Sequence, residues 1–432
     1  MLSSLPVPCL NRCDRAELLA YFENAWDIED CLLSTLRSDD AFYVSPDPLR
    51  NRLIFYLGHS AVFYINKLIR VGWLNQRIEP HYEMLFEIGV DPSTPEELEA
   101  AMQHVQWPQV DRVWNYRHNA REEIARTIRN APLEEGGDRP LQNRPLWALM
   151  MGIEHQRIHF ETSSMLLRQL DAHHLHRPDR WQYAPTAGET PVNTLVSVGG
   201  ARAVLGKPRT SGTYGWDSDY GAREVDVKPF WVGKTPVTNG EFLQFVRDGG
   251  YENPEFWGTR KPDAPHPKFW RREGDRIRYR TVFEEIDLPL TWPVEINHDE
   301  AIAYCRWYGE GTRLMCEAEW QVAAGDRAVD PGNLDDNLDL RFGSPSPVGL
   351  AESDELCDLR GNVWEWLGDD FAGLPSFEPH PLYADYSEPF FDGQHKVMRG
   401  GSWASTGAYA SSRNWFRPYF YQHAGFRIAR DI

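Results

Sequence analysis

Three histidines, His59, His155 and His159, have the residue type and the spacing that a metal centre needs. His155 and His159 are four residues apart in a strongly periodic segment, so on a helix both imidazoles project from one face. Two imidazoles on one face can chelate a divalent ion if a third ligand comes from elsewhere. His59 is the natural third ligand, because it lies in the apolar stretch LIFYLGHSAVFY beside Gly58, which allows a close backbone approach.

The ligand types restrict the metal without selecting one. Neutral nitrogens without thiolates suit Fe(II), Zn(II) or Cu(II). A lone histidine is more often a hydrogen-bonded core residue, but a pair at this spacing with a third histidine on another helix favours metal. Glu154 and Glu161 share a neighbouring face, where they are either acceptors for ligand N–H groups or charged surface positions. The HExxH pattern of zinc proteases is absent.

Residues 1–171 carry the helical periodicity that must position these histidines. Four or so helices joined by loops predict an up-and-down four-helix bundle. We predict helices from Asp14 to about Leu36, over Pro48–Trp73, from Thr94 onward, over Asp111–Ile128 and from Pro145 to about Leu170.

The rest of the chain follows a different pattern. Residues 172–194 are polar and rich in Pro and His, which predicts a linker or wrap-around segment, and its histidines are expected to be solvated rather than metal-bound. Residues 195–432 combine short β-type runs with many turn residues, which predicts an irregular α+β domain held by buried aromatics. The predicted elements are strands at Thr194–Val198, Val225–Val232 and Lys396–Met398 and helices at Asn239–Arg247 and His298–Gly309.

Composition limits the classes of partner. The 432 residues suggest two domains, and the net charge of −19 repels phosphate backbones and anionic lipid. We therefore expect no nucleic-acid and no membrane partner. No apolar run approaches the roughly 20 residues of a spanning helix, and the N-terminus lacks the pattern of a secretory signal. These features predict a cytoplasmic protein. The 17 Trp, 18 Tyr and 20 Phe indicate a rigid, ring-lined domain or pocket.

The chain resembles the nonheme iron sulfoxide synthases of the ergothioneine, ovothiol and selenoneine pathways. In the first half the resemblance lies in His155-x-x-x-His159-x-Glu161 and in the LGHS motif that contains His59. In the second half it lies in PVTNGEF, TRLMCEAEW, GNVWEW, RGGSW and AGFR. The resemblance implies a DinB-like four-helix bundle followed by a C-type-lectin-like, formylglycine-generating-enzyme-like domain. It covers nearly the whole chain in the same order.

The resemblance also implies a site and a reaction. The family's iron ligands correspond to His59, His155 and His159, and the cofactor is Fe(II). These enzymes bind the imidazole of histidine or hercynine (trimethylhistidine), a chalcogen donor and O2, and form a carbon–chalcogen bond on the ring. The second domain would supply most of the substrate pocket.

The family's hercynine site matches Arg-Asn-aromatic-Phe, which stands here immediately before the final AGFR region. Asn414, Trp415 and Phe416 are therefore the predicted substrate-binding residues. An indole face is a sound receptor for a quaternary ammonium, worth about 0.5–2 kcal/mol.

Two departures from the family pattern concern the donor and the catalytic acid. Ergothioneine-type enzymes that use γ-glutamylcysteine carry arginines in a loop that here reads GVDPSTPEELEAAMQ, without arginine. They also place a proton-donating tyrosine shortly after GNVWEW, where this chain has none before Tyr383. We expect Tyr419 or Tyr421 to take that catalytic role.

Together these features favour the selenoneine branch, in which hercynine is joined to a selenosugar. The alternatives are a 5-histidylcysteine sulfoxide synthase of the ovothiol type and a hercynine–cysteine sulfoxide synthase of the ergothioneine type. Core motifs such as LIFYLGH and GIEHQRIHFETSS resemble the ovothiol-pathway enzymes. A non-catalytic lectin-like binding protein is the alternative from another class, since such folds often bind ligands without chemistry.

Overall fold

A computed structural model describes the chain except for residues 1–2, 13, 88, 90–91, 93, 135–138, 259, 261, 263, 275, 326–335 and 351–354. The described part mixes helices and sheets, as the sequence predicts. Some of the GVDPSTPEELEAAMQ loop lies outside the described residues. Within the described part, no helix is both long and apolar enough to cross a membrane.

Among the described residues, six α-helices form the first half of the chain. Four long ones pack against one another and enclose a common apolar core. The helices are α1 (Arg15–Leu33), α2 (Leu53–Arg70), α3 (Pro80–Leu85), α4 (Pro95–Met102), α5 (Val110–Asn130) and α6 (Pro145–Gln169), of which α1, α2, α5 and α6 are the long ones.

The start of α4 shows the expected cap, because the Thr94 hydroxyl accepts a hydrogen bond from the Glu97 N–H at 3.3 Å. Helix α3 was not predicted from the sequence, since six residues are too few to show a helical period.

The second half contains two four-stranded sheets, a hairpin and a three-stranded meander. The sheet orders are β1-β4-β13-β8 and β11-β10-β9-β12, with β2-β3 and β5-β6-β7 separate. The strands are β1 (Leu195–Val198), β2 (Ala201–Leu205), β3 (Arg223–Val227), β4 (Phe230–Gly233), β5 (Trp270–Glu273), β6 (Arg276–Arg280), β7 (Glu285–Asp287), β8 (Arg313–Leu314), β9 (Trp364–Asp370), β10 (Lys396–Arg399), β11 (Asn414–Phe416), β12 (Ala424–Gly425) and β13 (Ile428–Asp431).

Three helices complete this half: α7 (Asn239–Arg247), α8 (His298–Tyr308) and α9 (Glu317–Ala324). The first two match the predicted helices, and α9 was missed. The single strand predicted over Val225–Val232 was wrong. It is interrupted at Lys228 and Pro229, because proline has no N–H to donate to a strand ladder.

Two buried carboxylates connect α6 to the second half. Glu161 accepts hydrogen bonds from the Trp364 indole at 2.8 Å and from the hydroxyls of Ser402 and Ser405 at 2.6 and 2.7 Å. Glu154 accepts from the Ala408 N–H at 2.9 Å. These bonds fix the rotation of α6 relative to the second half.

Candidate functional site

Helices α2 and α6 bring the three predicted histidines together. The candidate ligand nitrogens of His59, His155 and His159 all lie within 4.8 Å of one another. The Nε2 atoms of His155 and His159 are 3.1 Å apart. No other group of three His, Cys, Asp or Glu side chains in the described part of the chain has this geometry. The prediction that His155 and His159 project from one face of a helix is therefore confirmed. The facing helix α2 supplies the third histidine.

Neighbouring groups orient the rings. The Nδ1 atom of His59 lies 2.6 Å from the carbonyl oxygen of Phe86, so it donates a proton there and leaves Nε2 free as a ligand. Gly58 permits this contact, because a Cβ there would lie 2.6 Å from the Phe86 ring. Phe63 stacks on the His155 ring at 3.7 Å between centroids and 8° between planes.

Burial keeps all three imidazoles neutral. It lowers the pKa of His59 to about 4. Burial, followed by the neighbouring histidines, holds the pKa of His155 well below its ordinary value, and the pKa of His159 is lowered in the same way. Neutral nitrogens with free lone pairs are the form that binds a metal. The donor set thus fits a divalent ion held by three neutral ligands, with open positions for exchangeable ligands.

Neither Glu154 nor Glu161 is hydrogen-bonded to a histidine ring of the site. Their hydrogen bonds go to Tyr21 and to groups of the second half. The Nδ1 atoms of His155 and His159 have no hydrogen-bond partner. Both alternatives considered for these two glutamates were therefore wrong, because they are buried contacts between the halves.

Two of the three histidines border a large cavity between the two halves, which we call the main cavity. It has a volume of about 790 Å³. His59 and His159 form part of its wall, and the predicted substrate residues Asn414, Trp415 and Phe416 form another part. The structure thus brings the predicted metal ligands and the predicted substrate residues to one space.

An aromatic cluster surrounds Trp415 in the main cavity. The Trp415 indole stacks on Phe371 at 4.2 Å and 8°, which holds its plane fixed. Tyr386 meets it edge-on at 5.1 Å, and Phe390 lies at 5.7 Å. Trp415 is therefore both a packed residue and a wall of the cavity.

The main cavity also carries charges of both signs. Its basic side chains are Arg50, Lys67, Arg70 and Arg417, and its acidic side chains are Glu87, Asp385 and Asp392. Beside the buried Arg417, Lys67 is partly buried. It lies over the ring of Phe63 at 4.6 Å and donates to the carbonyl of Leu382 at 2.6 Å.

The two tyrosines predicted to be catalytic lie outside the main cavity. Tyr419 borders a separate space of about 400 Å³, with Arg260 at 3.7 Å from its ring centroid. Tyr421 borders a cavity of about 170 Å³ that also touches His159, but its hydroxyl is hydrogen-bonded to Glu300.

Three other tyrosines line the main cavity: Tyr383, Tyr386 and Tyr409. Tyr383 lies nearest to the histidines, with its ring 5.9 Å from that of His155. The sequence offered one indication, since Tyr383 is the first tyrosine after GNVWEW. Its place in an irregular loop gave no means of orienting it.

Comparison with known proteins places the chain among characterised families. Residues 182–432 match the family model described as the sulfatase-modifying factor enzyme 1-like domain. The hercynine oxygenase of Mycolicibacterium thermoresistibile is 31% identical over 420 residues, which cover 89% of each chain. The hercynine oxygenase of Mycobacterium tuberculosis is 37% identical over 53% of this chain, and the match spans 59% of that protein. The ergothioneine biosynthesis protein 1 of Neurospora crassa is 25% identical over 95% of this chain and 57% of its own length.

The lowered histidine pKa values predict a pH-dependent stability in the metal-free protein. Between pH 6.5 and about 4 the unfolded chain protonates His59 while the folded chain does not, so stability falls as pH falls. Subtracting the free energy of unfolding of His59→Gln from that of wild type cancels the contributions of the other titrating groups. From pH 7.5 to 4.5 the free energy of unfolding of wild type, relative to the variant, should drop by about 2 to 3 kcal/mol in urea titrations.

The matched control is His118→Gln, which alters an exposed histidine on α5. It shows what the loss of an exposed imidazole does to the stability. A difference for His59→Gln that does not change with pH would contradict the burial of a neutral imidazole.

Proposed function

This chain belongs to the hercynine oxygenase family, and its second half is a sulfatase-modifying factor enzyme 1-like domain. We propose that it forms a carbon–chalcogen bond on the imidazole ring of hercynine. We propose O2 as the oxidant and a nonheme Fe(II) ion as the cofactor. The observation that carries the proposal is the shared cavity: His59 and His159 face the same space as Trp415 and Phe416.

His59, His155 and His159 would hold the iron. Bound Fe(II) would supply the redox chemistry with O2. The protein's own contribution is to keep three neutral nitrogens converged and to leave the cavity side open to substrates. Phe63 helps in this, because its ring packs flat on His155 and restricts rotation of the imidazole.

The aromatic cluster supports hercynine as the ring substrate. A trimethylammonium group cannot donate hydrogen bonds, so π faces and nearby carboxylates are its natural receptors. Trp415, Tyr386 and Phe390 provide such faces, and Asp392 adds a negative charge on the same wall. With the ammonium at this cluster, the substrate's imidazole would extend toward the histidines.

Tyr383 is the proposed proton donor and acceptor in place of Tyr419 and Tyr421. It is adjacent to His155 in space and it borders the main cavity, whereas the Tyr421 hydroxyl is engaged by Glu300. A group within reach of the reacting atoms is the first requirement of general acid–base catalysis.

For the second substrate we propose a selenosugar. The main cavity is large enough for two small substrates. Asn66 and Asp385 offer hydrogen-bonding groups for sugar hydroxyls, and Tyr383 offers a ring for stacking. The absence of arginine from the GVDPSTPEELEAAMQ segment also supports a donor other than γ-glutamylcysteine.

A thiol-bearing amino acid is the second candidate donor. It is favoured by Lys67 and Arg70, two basic groups of the main cavity that suit a carboxylate. A donor of this kind would make the chain a hercynine–cysteine sulfoxide synthase of the ergothioneine type. If histidine replaced hercynine, the product would be that of a 5-histidylcysteine sulfoxide synthase.

Iron binding tests the ligand set. Wild type should take up one Fe(II) per chain in an anaerobic titration, and His155→Ala should lose most of that binding, because two histidines alone leave the site short of a ligand. His104→Ala, which changes an exposed histidine, is the control. Unchanged iron content in His155→Ala would remove the assignment and would favour a non-catalytic lectin-like protein.

Substrate selection tests the ammonium site. In the Fe(II) protein under nitrogen, Trp415→Ala should weaken hercynine binding about 3- to 30-fold more than histidine binding, which corresponds to about 0.5–2 kcal/mol of cation–π attraction. Calorimetric titration of both ligands measures this. Trp231→Ala, at a partly exposed tryptophan on β4, controls for general loss of an indole. Equal losses for the two ligands, or tighter binding of plain histidine by wild type, would count against hercynine.

A comparison of selenium and sulfur donors tests which donor the enzyme uses. With hercynine and O2 present, 1-selenoglucose should give a higher kcat/KM than thioglucose, cysteine or γ-glutamylcysteine. Arg70→Gln should leave turnover with the selenosugar unchanged while raising KM for the two carboxylate donors. A preference for cysteine that Arg70→Gln abolishes would establish the second candidate instead.

A further inference from the structure

A small space behind Tyr383 has no role in the function proposed above. We call it the inner cavity. Its volume of about 10 Å³ is close to that of one water-sized probe. Tyr383 is its common wall with the main cavity. The inner cavity is lined by Gln142, Trp147, Met151, Arg209, Tyr214, Gly215, Trp216, Asp217, Tyr220, His380 and Tyr383.

Four polar atoms of its lining are buried and have no hydrogen-bond partner of good geometry among the described residues, although the Gln142 side chain interacts with that of Tyr220. They are the hydroxyls of Tyr214 and Tyr220, Nε1 of Trp216 and Oδ2 of Asp217. An unpaired buried polar atom costs about 1–3 kcal/mol, so four around one space need an explanation. One water molecule, with two donors and two acceptors, can accept from the indole and donate to the carboxylate. Two hydrogen bonds then remain for the phenols that line the space, Tyr383 among them.

Most of the hydrogen bonds to Asp217 reach one carboxylate oxygen. Its Oδ1 accepts hydrogen bonds from the Ser387 hydroxyl and from the Ser218 N–H at 2.8 Å. The backbone N–H of His380 also interacts with the carboxylate. Ser387 is itself fully buried, so this side of the carboxylate is shielded from solvent. The remaining Oδ2 is available to the inner cavity.

We propose that the inner cavity is a buried water site through which Asp217 exchanges a proton with Tyr383, and hence with the substrates in the main cavity. Asp217 is then a positioning and proton-storing residue that acts through Tyr383. Burial raises the pKa of Asp217 to about 6, which lets the carboxyl change its protonation state near neutral pH.

Several other groups face Asp217 and set its electrostatic surroundings. Asp219, two residues on, acts against its ionisation. Arg209 is the basic side chain of the inner cavity. The titratable or polar neighbours from the packed elements are Tyr214, Tyr220, His380, Tyr383, Tyr386 and Ser387. His380 is fully hydrogen-bonded, since one ring nitrogen donates to the Gln142 carbonyl and the other accepts from the Leu382 N–H.

The transfer itself moves one proton and no electrons. The proton leaves the Asp217 carboxyl for the water, a proton of that water passes to the phenol oxygen of Tyr383, and the phenol proton passes to substrate. Asp217 ends as carboxylate and regains a proton when the substrates release theirs. This inference rests on the proposed function, in which reduction of one oxygen atom of O2 to water takes up two protons while the chalcogen–hydrogen and ring carbon–hydrogen bonds release two. Asp217 therefore stores a proton between these events, and none is consumed overall.

Two measurements on the resting protein test the water site without turnover. A high-resolution crystal structure should show one water within hydrogen-bond distance of Asp217 Oδ2 and Trp216 Nε1. Infrared difference spectra between pH 5 and 8 should show a protonated-carboxyl band that titrates near pH 6 in wild type and is missing in Asp217→Asn. A dry inner cavity, or an unchanged band in the variant, would overturn the inference even if the enzyme is active.

Enzyme kinetics test the proton transfer from Asp217 through the buried water to Tyr383, which we call the relay. In wild type kcat should fall as pH rises above about 6, because the carboxyl must be protonated to donate. Asp217→Asn should remove this limb and lower kcat by roughly 10²-fold, with KM for hercynine unchanged. Glu378→Gln, which makes the same charge change at an exposed partner of Arg209, should behave as wild type. A pH profile shared by wild type and Asp217→Asn would overturn the relay.

The two hypotheses fail in different ways. If hercynine is not turned over by any donor, the proposed function fails while the crystallographic water and the infrared band still decide the water site. If Asp217→Asn does not fold, the water seen or not seen in the wild-type crystal structure remains decisive. Tyr383→Phe gives an independent check, because it should lower kcat as Asp217→Asn does while leaving the infrared band in place.

Discussion

Two carboxylates on the buried helix α6 hold the site together, because they fix which way its histidines face. Glu154 and Glu161 are seven residues apart and bond α6 to the second half, while His155 and His159 face α2. Burial raises the pKa of both glutamates, so each is costly without partners. The indole, hydroxyl and amide donors of the second half offset that cost and also select one orientation of the helix.

A second buried network positions the Trp415 side of the main cavity. Arg413 makes a two-pronged contact with Glu317, with nitrogen–oxygen distances of 2.7 and 2.9 Å, and Arg399 reaches the same carboxylate at 3.0 Å. Buried ion pairs of this kind add little net stability but impose a narrow geometry. Since Arg413 immediately precedes β11, the network sets where Trp415 lies. The histidine side and the Trp415 side of the main cavity are thus each fixed by buried carboxylates with several donors.

The elements that the sequence predicted well are those with a long, regular period. Helix α6 begins at Pro145 as expected, and the i, i+4 histidines converge because helical geometry is local. The sequence also indicated that His59 is buried, because it lies in an almost wholly apolar helix, which must be buried on all sides. The sequence-based prediction fails where an element is too short to show a hydrophobic period, as at α3, or where the period is interrupted, as between β3 and β4. The roles of Glu154 and Glu161 were missed, because a helix face does not reveal what packs against it.

By itself, therefore, the sequence determined a helical first half with three histidines of metal-binding type, an irregular aromatic second half and the family they resemble. Those features depend on residue type and on contacts a few positions apart along the chain. Only the tertiary structure decided that Trp415 faces the histidines, that Tyr383 rather than Tyr419 or Tyr421 borders the main cavity, and that Asp217 lies behind it. These residues are separated by long, irregular loops, whose paths are set by packing against α2 and α6 and not by any local periodicity.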